Sequence, residues 1–194
     1  ALDLLSLIAG RDSSGGLSVA EAADEAELAK PTIHRLLTEL LHAGYVEQGP
    51  DRRYRLGPEA YVIGSAAENR HGLQHQAVEA VVRLAAASED VAFVSVRRGN
   101  HFVCVRREEG RWPIRSHVLQ VGDRWPIGLG AVGTAFLAAM DPEERSRVVA
   151  ANEAEFARYP RMDAKTVLGL ADTAMLRGGI AVNEGLVVDE SWGI

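Results

Sequence analysis

Cysteine, lysine and long apolar segments are scarce in this chain of 194 residues. The single cysteine, Cys104, excludes a framework of disulfide bonds and any zinc site built from several cysteines. It is compatible with a reducing cytoplasm, which is the compartment we expect for the protein. No run of apolar residues approaches the roughly 20 that cross a bilayer. We therefore expect neither a signal peptide nor a membrane partner.

Positive charge is also in deficit, since 21 Lys and Arg stand against 27 Asp and Glu, for a net charge of −6. Taken over the whole chain, this balance argues against a nucleic-acid partner. The distribution of charge reverses that inference. Residues 1–28 carry one base and six acids, a balance of −5, whereas residues 29–57 carry five bases and three acids, a balance of +2. Residues 58–194 carry 15 bases and 18 acids, a balance of −3.

The first 57 residues have the pattern of three short helices followed by a hairpin. Ser18 and Glu21 have the spacing of a capping box, which predicts the start of the second helix. The third helix is predicted to begin at Pro31, to carry one apolar face and to end at Gly44. Strand, turn and strand follow. This order predicts a winged helix-turn-helix, with the third helix as its recognition helix.

The outward face of the third helix and the hairpin carry polar and basic side chains suited to bases and phosphates. The expected DNA-contacting positions are Lys30, Pro31, Thr32, His34, Arg35 and Thr38 on the helix and Arg52, Arg53 and Arg55 on the hairpin. Helical triplets with a hairpin also occur as plain packing units and as protein-interaction domains. Those two alternatives stay open at this point.

The rest of the chain predicts a linker helix over residues 58–72 and a second domain over residues 73–194. The predicted strands cover residues 91–97, 102–106, 114–121, 180–182 and 186–188, and the predicted helices cover residues 131–139, a segment starting at Pro142, and residues 164–177. Because the strands come in hairpins and the helices in a run, the expected class is α+β with an antiparallel sheet.

Gly128, Gly130 and Gly133 form a G-x-G-x-x-G motif before a predicted helix. A dinucleotide fingerprint also needs a strand leading into the first glycine, and the Trp125–Pro126 pair interrupts that approach. The glycine-rich start of the helix therefore favours a small carboxylate as its ligand. Nucleotide binding by a sensor or enzyme domain is the alternative.

The histidines and carboxylates show no catalytic triad or paired-acid spacing. His71, His75 and Glu79 lie on one helix face, but without a third convergent ligand a solvated face is favoured. No catalytic residue, metal or cofactor is expected.

Residues 17–23, 28–40, 44–47 and 54–57 together resemble the winged helix-turn-helix of the IclR family of bacterial transcription regulators. The segment from Thr32 to Leu37 is the most specific part of the resemblance. It implies that Thr32 and Arg35 contact DNA and that the wing arginines follow phosphates less strictly. Pro31 stands where the family usually has a small hydroxyl residue.

Residues 121–126, the small-residue loop to Gly133, residues 135–138 and residues 178–184 resemble the effector-binding domain of the same family, a GAF-like sheet with helices. The resemblance implies an effector pocket lined by Leu119, Gly130, Ala131, Val132 and Asn183. Asn183 stands where the family often has an acid. Since the family continues with further strands beyond Ile194, we expect the second domain to be truncated, and the helix that opens the chain also looks trimmed.

Together these observations predict an α+β protein with an N-terminal winged helix-turn-helix over residues 1–57, a linker helix and a C-terminal GAF-like domain. The expected function is transcription regulation, with operator binding modulated by a small organic-acid or aromatic effector. The expected partners are palindromic double-stranded DNA, the effector and further copies of the chain in a homodimer or tetramer.

Overall fold

The computed structural model describes residues 1–12, 15–71, 73–111 and 118–194. These residues form two compact units. The first comprises residues 1–84 and 120–122, and the second comprises residues 85–119 and 123–194. Among the described residues, no helix combines the length and the apolar character needed to cross a membrane.

The first unit begins with three helices and an antiparallel hairpin. Its elements are α1 (Leu2–Arg11), α2 (Val19–Glu25), α3 (Lys30–His42), β1 (Val46–Gln48) and β2 (Tyr54–Leu56). Val46 pairs with Leu56 at one end of the hairpin and Gln48 pairs with Tyr54 at the other. This is the predicted order of a helix-turn-helix with a wing. Helix α1 runs on through Gly10 to Arg11, a little beyond its predicted end.

Local chemistry explains where these helices begin and end. The predicted capping box at α2 is confirmed, because the Ser18 hydroxyl accepts from the Glu21 N–H at 3.3 Å and the Ser18 N–H donates to Glu21 Oε2 at 2.8 Å. Pro31 lies in the first turn of α3, where a missing N–H is harmless. Gly44 follows α3 with a φ of +74°, a left-handed conformation that glycine adopts without strain.

The apolar faces of these elements meet in one core. Its buried members are Leu4, Ile8, Leu17, Ala22, Ala23, Ile33, Leu37, Leu40, Val46 and Tyr54. Ile33 and Leu37 are nearly inaccessible to solvent, and one face of α3 is held against α2 and β1. The opposite face is left for solvent or a partner.

Two further helices continue the chain after the wing. They are α4 (Pro58–His71) and α5 (Leu73–Ser88), and Gly72 between them lies outside the described residues. Tyr61, Val62 and Ile63 on α4 are exposed.

The second unit combines a three-stranded antiparallel sheet with a run of helices. Its elements are β3 (Ala92–Arg98), β4 (His101–Glu108), β5 (Arg124–Pro126), α6 (Gly130–Ala138), α7 (Pro142–Ala151), α8 (Glu153–Phe156), α9 (Ala164–Leu176), β6 (Asn183–Glu184) and β7 (Trp192–Gly193). The sheet order is β3-β4-β5, which confirms the predicted hairpin and the α+β class. The core is centred on Phe156, Leu137, Val167 and Ile127, which solvent does not reach.

The third strand of this sheet was placed wrongly by the sequence pattern. Of the predicted strand over residues 114–121, residues 118–121 are not a strand and the remainder lies outside the described residues. Strand β5 takes the position instead, with Trp125 paired to Phe102 and Pro126 to His101. Pro126 is tolerated because it ends a strand that has one neighbour among the described strands.

The strands predicted over residues 180–182 and 186–188 were also wrong. The observed pair is β6 with β7, in which Asn183 lies opposite Gly193. The Gly185 N–H donates to the Ser191 carbonyl at 2.8 Å, so the turn closes across residues 185–191 rather than at Gly185. A short apolar run does not reveal such a wide turn.

Candidate nucleic-acid interface and small-molecule cavity

Helix α3 presents a polar surface on the side opposite to its buried Ile33, Leu37 and Leu40. The expected DNA-contacting residues of this helix all have solvent-accessible surface: Lys30, Pro31, His34 and Arg35 are exposed, and Thr32 and Thr38 are half-buried. The Thr38 hydroxyl donates to the His34 carbonyl at 2.9 Å, which leaves its oxygen as an acceptor. The structure thus brings the six helical positions together on one helix.

Arg35 is an exposed cation in the middle of this helix. Within the described part of the chain its guanidinium makes no ion pair and no hydrogen bond. The five N–H donors of the group are therefore available to a base edge or a phosphate.

The three arginines of the wing differ from one another. Arg53 donates to the Gly16 carbonyl at 2.9 Å and pairs with Glu21 at 2.8 Å. Arg55 pairs with Asp51 at 2.6 Å. Arg52 lies at the turn with a φ of +58° and is exposed, and its side chain has no ion pair among the described residues. Two of the three wing cations are thus engaged within the protein.

The acids that engage these arginines are strongly held in the charged form. The Ser18 N–H, the Ser18 hydroxyl and Arg53 together lower the pKa of Glu21 to about 2. Arg55 and the Arg53 N–H lower the pKa of Asp51 to about 2, and Asp51 in turn raises the pKa of Arg55. Both carboxyls are therefore charged at neutral pH.

The second unit contains a half-open cavity of about 120 Å³ between the sheet, the start of α6 and the β6–β7 hairpin. All five residues that the resemblance assigns to an effector pocket line it: Leu119, Gly130, Ala131, Val132 and Asn183. The remaining wall is largely apolar and includes Phe93, Phe102, Trp125, Val187, Ser191 and Trp192. Sequence reasoning missed these aromatic residues, because they come from strands and loops that are far apart in the chain.

The polar groups of this cavity are few. Asn183 is 8% exposed, and its carboxamide has no hydrogen-bond partner among the described residues. At the start of α6, the N-cap residue Leu129 offers no side-chain acceptor to the first N–H groups. The cavity is therefore apolar with one polar end.

Close packing explains two glycines of the G-x-G-x-x-G motif, and the reason differs from the one that applies in a dinucleotide site. A Cβ on Gly128 would lie 2.8 Å from the Phe156 ring, and one on Gly133 would lie 2.7 Å from the Gly128 nitrogen. Gly130 faces open space and has a φ of +65°. The strand before the motif is β5, which runs antiparallel to β4 and so does not form the βαβ unit of a dinucleotide fold.

The single cysteine does not line the cavity. Cys104 is fully buried, and burial raises the pKa of its thiol to about 11, so the thiol is unreactive. The side chains of His71 and His75 lie outside the described residues. In the parts of the chain that are described, no three His, Cys, Asp or Glu side chains are arranged to hold a metal ion.

The first unit, with a buried three-helix core, an exposed cationic third helix and a two-stranded wing, defines a winged helix-turn-helix protein. Comparison with known proteins agrees. Residues 1–50 match the model of the IclR helix-turn-helix domain. The chain is 29% identical over 177 residues to the HTH-type transcriptional regulator BhcR of Paracoccus denitrificans, a match that covers 91% of this chain and 59% of that protein.

Solved structures share the fold across nearly the whole chain. The IclR transcriptional regulator of Alicyclobacillus acidocaldarius matches with a TM-score of 0.76 at 23% identity, covering 96% of this chain and 75% of that one. An IclR homologue of Microbacterium hydrocarbonoxydans, crystallised with 4-hydroxybenzoate, matches with a TM-score of 0.73 at 19% identity, covering 99% of this chain and 80% of that one. The chain is similar to transcription regulators of the IclR family. It spans 59% of the length of the Paracoccus relative.

Proposed function

We propose that the protein is a DNA-binding transcription regulator whose operator binding is modulated by a small organic-acid or aromatic effector. The observation that carries the proposal is the surface of α3, where Arg35 is exposed and unpaired among the described residues above a buried apolar face. A helix of 13 residues with this division fits the major groove of B-form DNA.

Within this interface the nine positions divide into four roles. Arg35, Thr32 and His34 are suited to base edges, Lys30 and Arg52 to phosphates, and Pro31 and Thr38 to shaping the helix surface. Arg53 and Arg55 hold the wing through Glu21 and Asp51 before they meet DNA. If these two arginines also contact phosphates, each must divide its N–H donors between the phosphate and the acid with which it pairs.

The partner is double-stranded DNA with a roughly palindromic operator, and the regulator binds it as a homodimer or tetramer. A single recognition helix reads only a few base pairs, so two copies on half-sites about one helical turn apart supply the specificity. No cofactor and no catalysis belong to this proposal, and the protein acts in the cytoplasm, where its DNA lies.

Effector binding takes place in the cavity of the second unit. The relative with 4-hydroxybenzoate in its crystal structure supports a small acid as the ligand. In this proposal residues 1–57 bind DNA, residues 58–72 connect the two domains, and residues 73–194 bind the effector. Coupling between the sites would be about 1–3 kcal/mol, as is typical of allosteric proteins.

The test begins with selection of operator fragments from the genomic DNA that borders the gene, followed by gel-shift titration of the purified chain. The expected result is a specific shift that resists competitor DNA and weakens steeply with salt. Equal affinity for random duplex and selected fragments would reject an operator-binding regulator. Salt-independent association with other proteins, without a DNA shift, would support a protein-interaction domain instead.

A further inference from the structure

Arg55 on β2 is held by the carboxylate of Asp51 in the turn of the wing. Its two terminal nitrogens donate to the two carboxylate oxygens, Nη2 to Oδ2 at 2.6 Å and Nη1 to Oδ1 at 3.1 Å. Asp51 Oδ1 also accepts the Arg53 N–H at 3.1 Å, which fixes the carboxylate within the turn. Two parallel hydrogen bonds between an arginine and a carboxylate add geometric specificity as well as energy. The pair is therefore a defined part of the wing.

Gly49, at the start of the same turn, leaves the space that this pair occupies. A Cβ at position 49 would overlap the Arg55 guanidinium and would lie 2.7 Å from Asp51 Oδ1. Gly49 does not have the left-handed backbone conformation that favours glycine. Its missing side chain therefore serves the ion pair rather than the path of the backbone.

Two more carboxylates act on the same guanidinium. Glu47 lies opposite Arg55 in the register of β1 and β2, and the Asp12 carboxylate accepts the N–H of the next residue, Leu56, at 2.7 Å. Asp51 raises the pKa of Arg55, and the charges of Asp12 and Glu47 add to the effect. The positive charge of Arg55 is thus neutralised within the first unit.

A DNA phosphate would have to displace Asp51 in order to bind Arg55. The side chains of Arg55 and Asp51 are 30% and 46% exposed, so a phosphate can reach the pair. Opening the pair, however, leaves the Asp51 carboxylate beside the negatively charged DNA backbone, and like charges at short range repel. An arginine that stays paired with Asp51 neutralises no phosphate and releases no counterions.

We propose that Asp51 limits the sequence-independent affinity of the protein for DNA by holding Arg55 away from phosphates. Arg52, which has no ion pair among the described residues, is then the wing cation that contributes to this affinity. The inference rests on the proposed function, because it concerns how that regulator binds DNA. Its consequence is that binding depends more on α3, whose side chains reach base edges, than on the wing.

The affinity of the 194-residue chain for a random-sequence duplex, measured across a salt series, tests this role. For each wing on the duplex, Asp51→Asn should raise the affinity about five- to tenfold at about 0.1 M salt and steepen the slope of log affinity against log salt by about 0.9. Asparagine keeps an oxygen that can accept the Arg53 N–H, so the turn should be retained. Gly49→Ala should also raise the affinity, without any change of charge, because its methyl group displaces the Arg55 guanidinium.

Two controls separate the release of Arg55 from a general loss of negative charge. Glu47→Gln removes the same charge from the wing, but Glu47 makes no hydrogen bond to Arg55 among the described residues, so this variant should leave the salt slope unchanged. The gain from Gly49→Ala should disappear when Arg55→Gln is also present. A gain that persists in that double variant, or equal gains in Asp51→Asn and Glu47→Gln, would overturn the proposal.

Thermal melting of each variant records whether it folds, and Asp51→Asn serves if Gly49→Ala does not. Duplex affinity and salt slope that stay unchanged in both variants would overturn the role of Asp51. If the unaltered chain and every variant fail to bind duplex at low salt, the proposed function is rejected together with this role. If the unaltered chain binds duplex and the variants gain nothing, this inference alone is rejected.

Discussion

The two candidate sites of this protein are built in opposite ways. The face of α3 is exposed, cationic and contained in a single helix and a short wing, with Arg35 at its centre. The cavity is concave and half-open, bears no charged side chain in its lining and draws its walls from separate segments between Phe93 and Ile194. The α3 face is suited to long-range electrostatic attraction of a partner, and the cavity is suited to close packing around a ligand.

This difference predicts different responses to solution conditions. Interactions between exposed charges are screened by salt, so binding at α3 should weaken as ionic strength rises. Binding in the cavity depends on apolar burial and on a few short hydrogen bonds, which salt affects little. Variants that alter one site while the other serves as the reference test this difference.

The largest effect is expected from the core beneath α3. Leu37→Ala removes a side chain that is 1% exposed and leaves a cavity, which should lower the free energy of unfolding by about 2–5 kcal/mol. Urea unfolding measures it. Leu28→Ala is the matched control, because Leu28 is 44% exposed and the same truncation should stay within about 0.5 kcal/mol. Equal losses in the two variants would contradict the position of α3.

The second-largest effect is expected from removal of the exposed Arg35 guanidinium on α3. Arg35→Ala should weaken operator binding by about 1–3 kcal/mol if Arg35 reads a base, and by less and uniformly across sequences if it holds a phosphate. Gel-shift titration on matched and mismatched operators distinguishes the two. Arg158→Ala removes an arginine from the second unit that is 73% exposed and should leave affinity unchanged. Unchanged affinity in Arg35→Ala would remove that residue from the interface.

The wing offers a comparison at constant charge. Arg52→Ala should reduce the slope of log affinity against log salt by about 1, as expected for one lost phosphate contact. Arg55→Ala removes the same charge, but Asp51 already engages that side chain at 2.6 Å, so its slope should change less. Affinity measured across a salt series checks both variants. A larger change in Arg55→Ala than in Arg52→Ala would show that the ion pair opens on DNA.

The smallest effect concerns acid stability. The carboxyls of Glu21 and Asp51 have pKa values of about 2 in the folded chain, below their ordinary values of 4.5 and 3.8. A lowered pKa stabilises the folded state above the ordinary value, and that contribution is lost as the pH falls toward the folded value. The melting temperature should therefore decline between about pH 5 and pH 2.

A variant shows how much of this decline belongs to the wing pairs. In the Glu21→Gln and Asp51→Asn double variant the decline should be shallower. Asp24→Asn is the matched control, because the Asp24 carboxylate makes no hydrogen bond among the described residues. An identical acid profile in the double variant and the unaltered chain would show that the pairs add nothing to stability.

The first unit was almost fully predictable because its signals are local. A capping box at Ser18, a proline at position 31 and a glycine at position 44 act within one turn of the helices that they begin or end. The burial of Ile33 and Leu37 follows from the spacing of apolar residues. The pairing of Arg53 with Glu21 was not predictable, since 32 residues separate them and only the packed wing brings them together.

The fold class of the second unit and its β3–β4 hairpin were predictable from the sequence. Strand β5 and the β6–β7 pair were not. Strand β5 contains Trp125 and Pro126, which suggested a break, and it forms only because β4 provides a partner. The turn across residues 185–191 depends on a bond between Gly185 and Ser191 that no apolar pattern reveals. These elements take their conformation from neighbours that are distant in sequence.

By itself, the amino-acid sequence determined the helices of the first unit, the charged face of α3 and the class of the second unit, because helix periodicity, caps and turns act over a few residues. Only the tertiary structure decided which wing arginine has no ion pair among the described residues and which side chains line the cavity. Ion pairs and cavity walls join residues from distant segments, so their geometry exists only after the chain has packed. Arg52 in the exposed turn of the wing and Asn183 in the lining of an aromatic cavity are the two results of that packing.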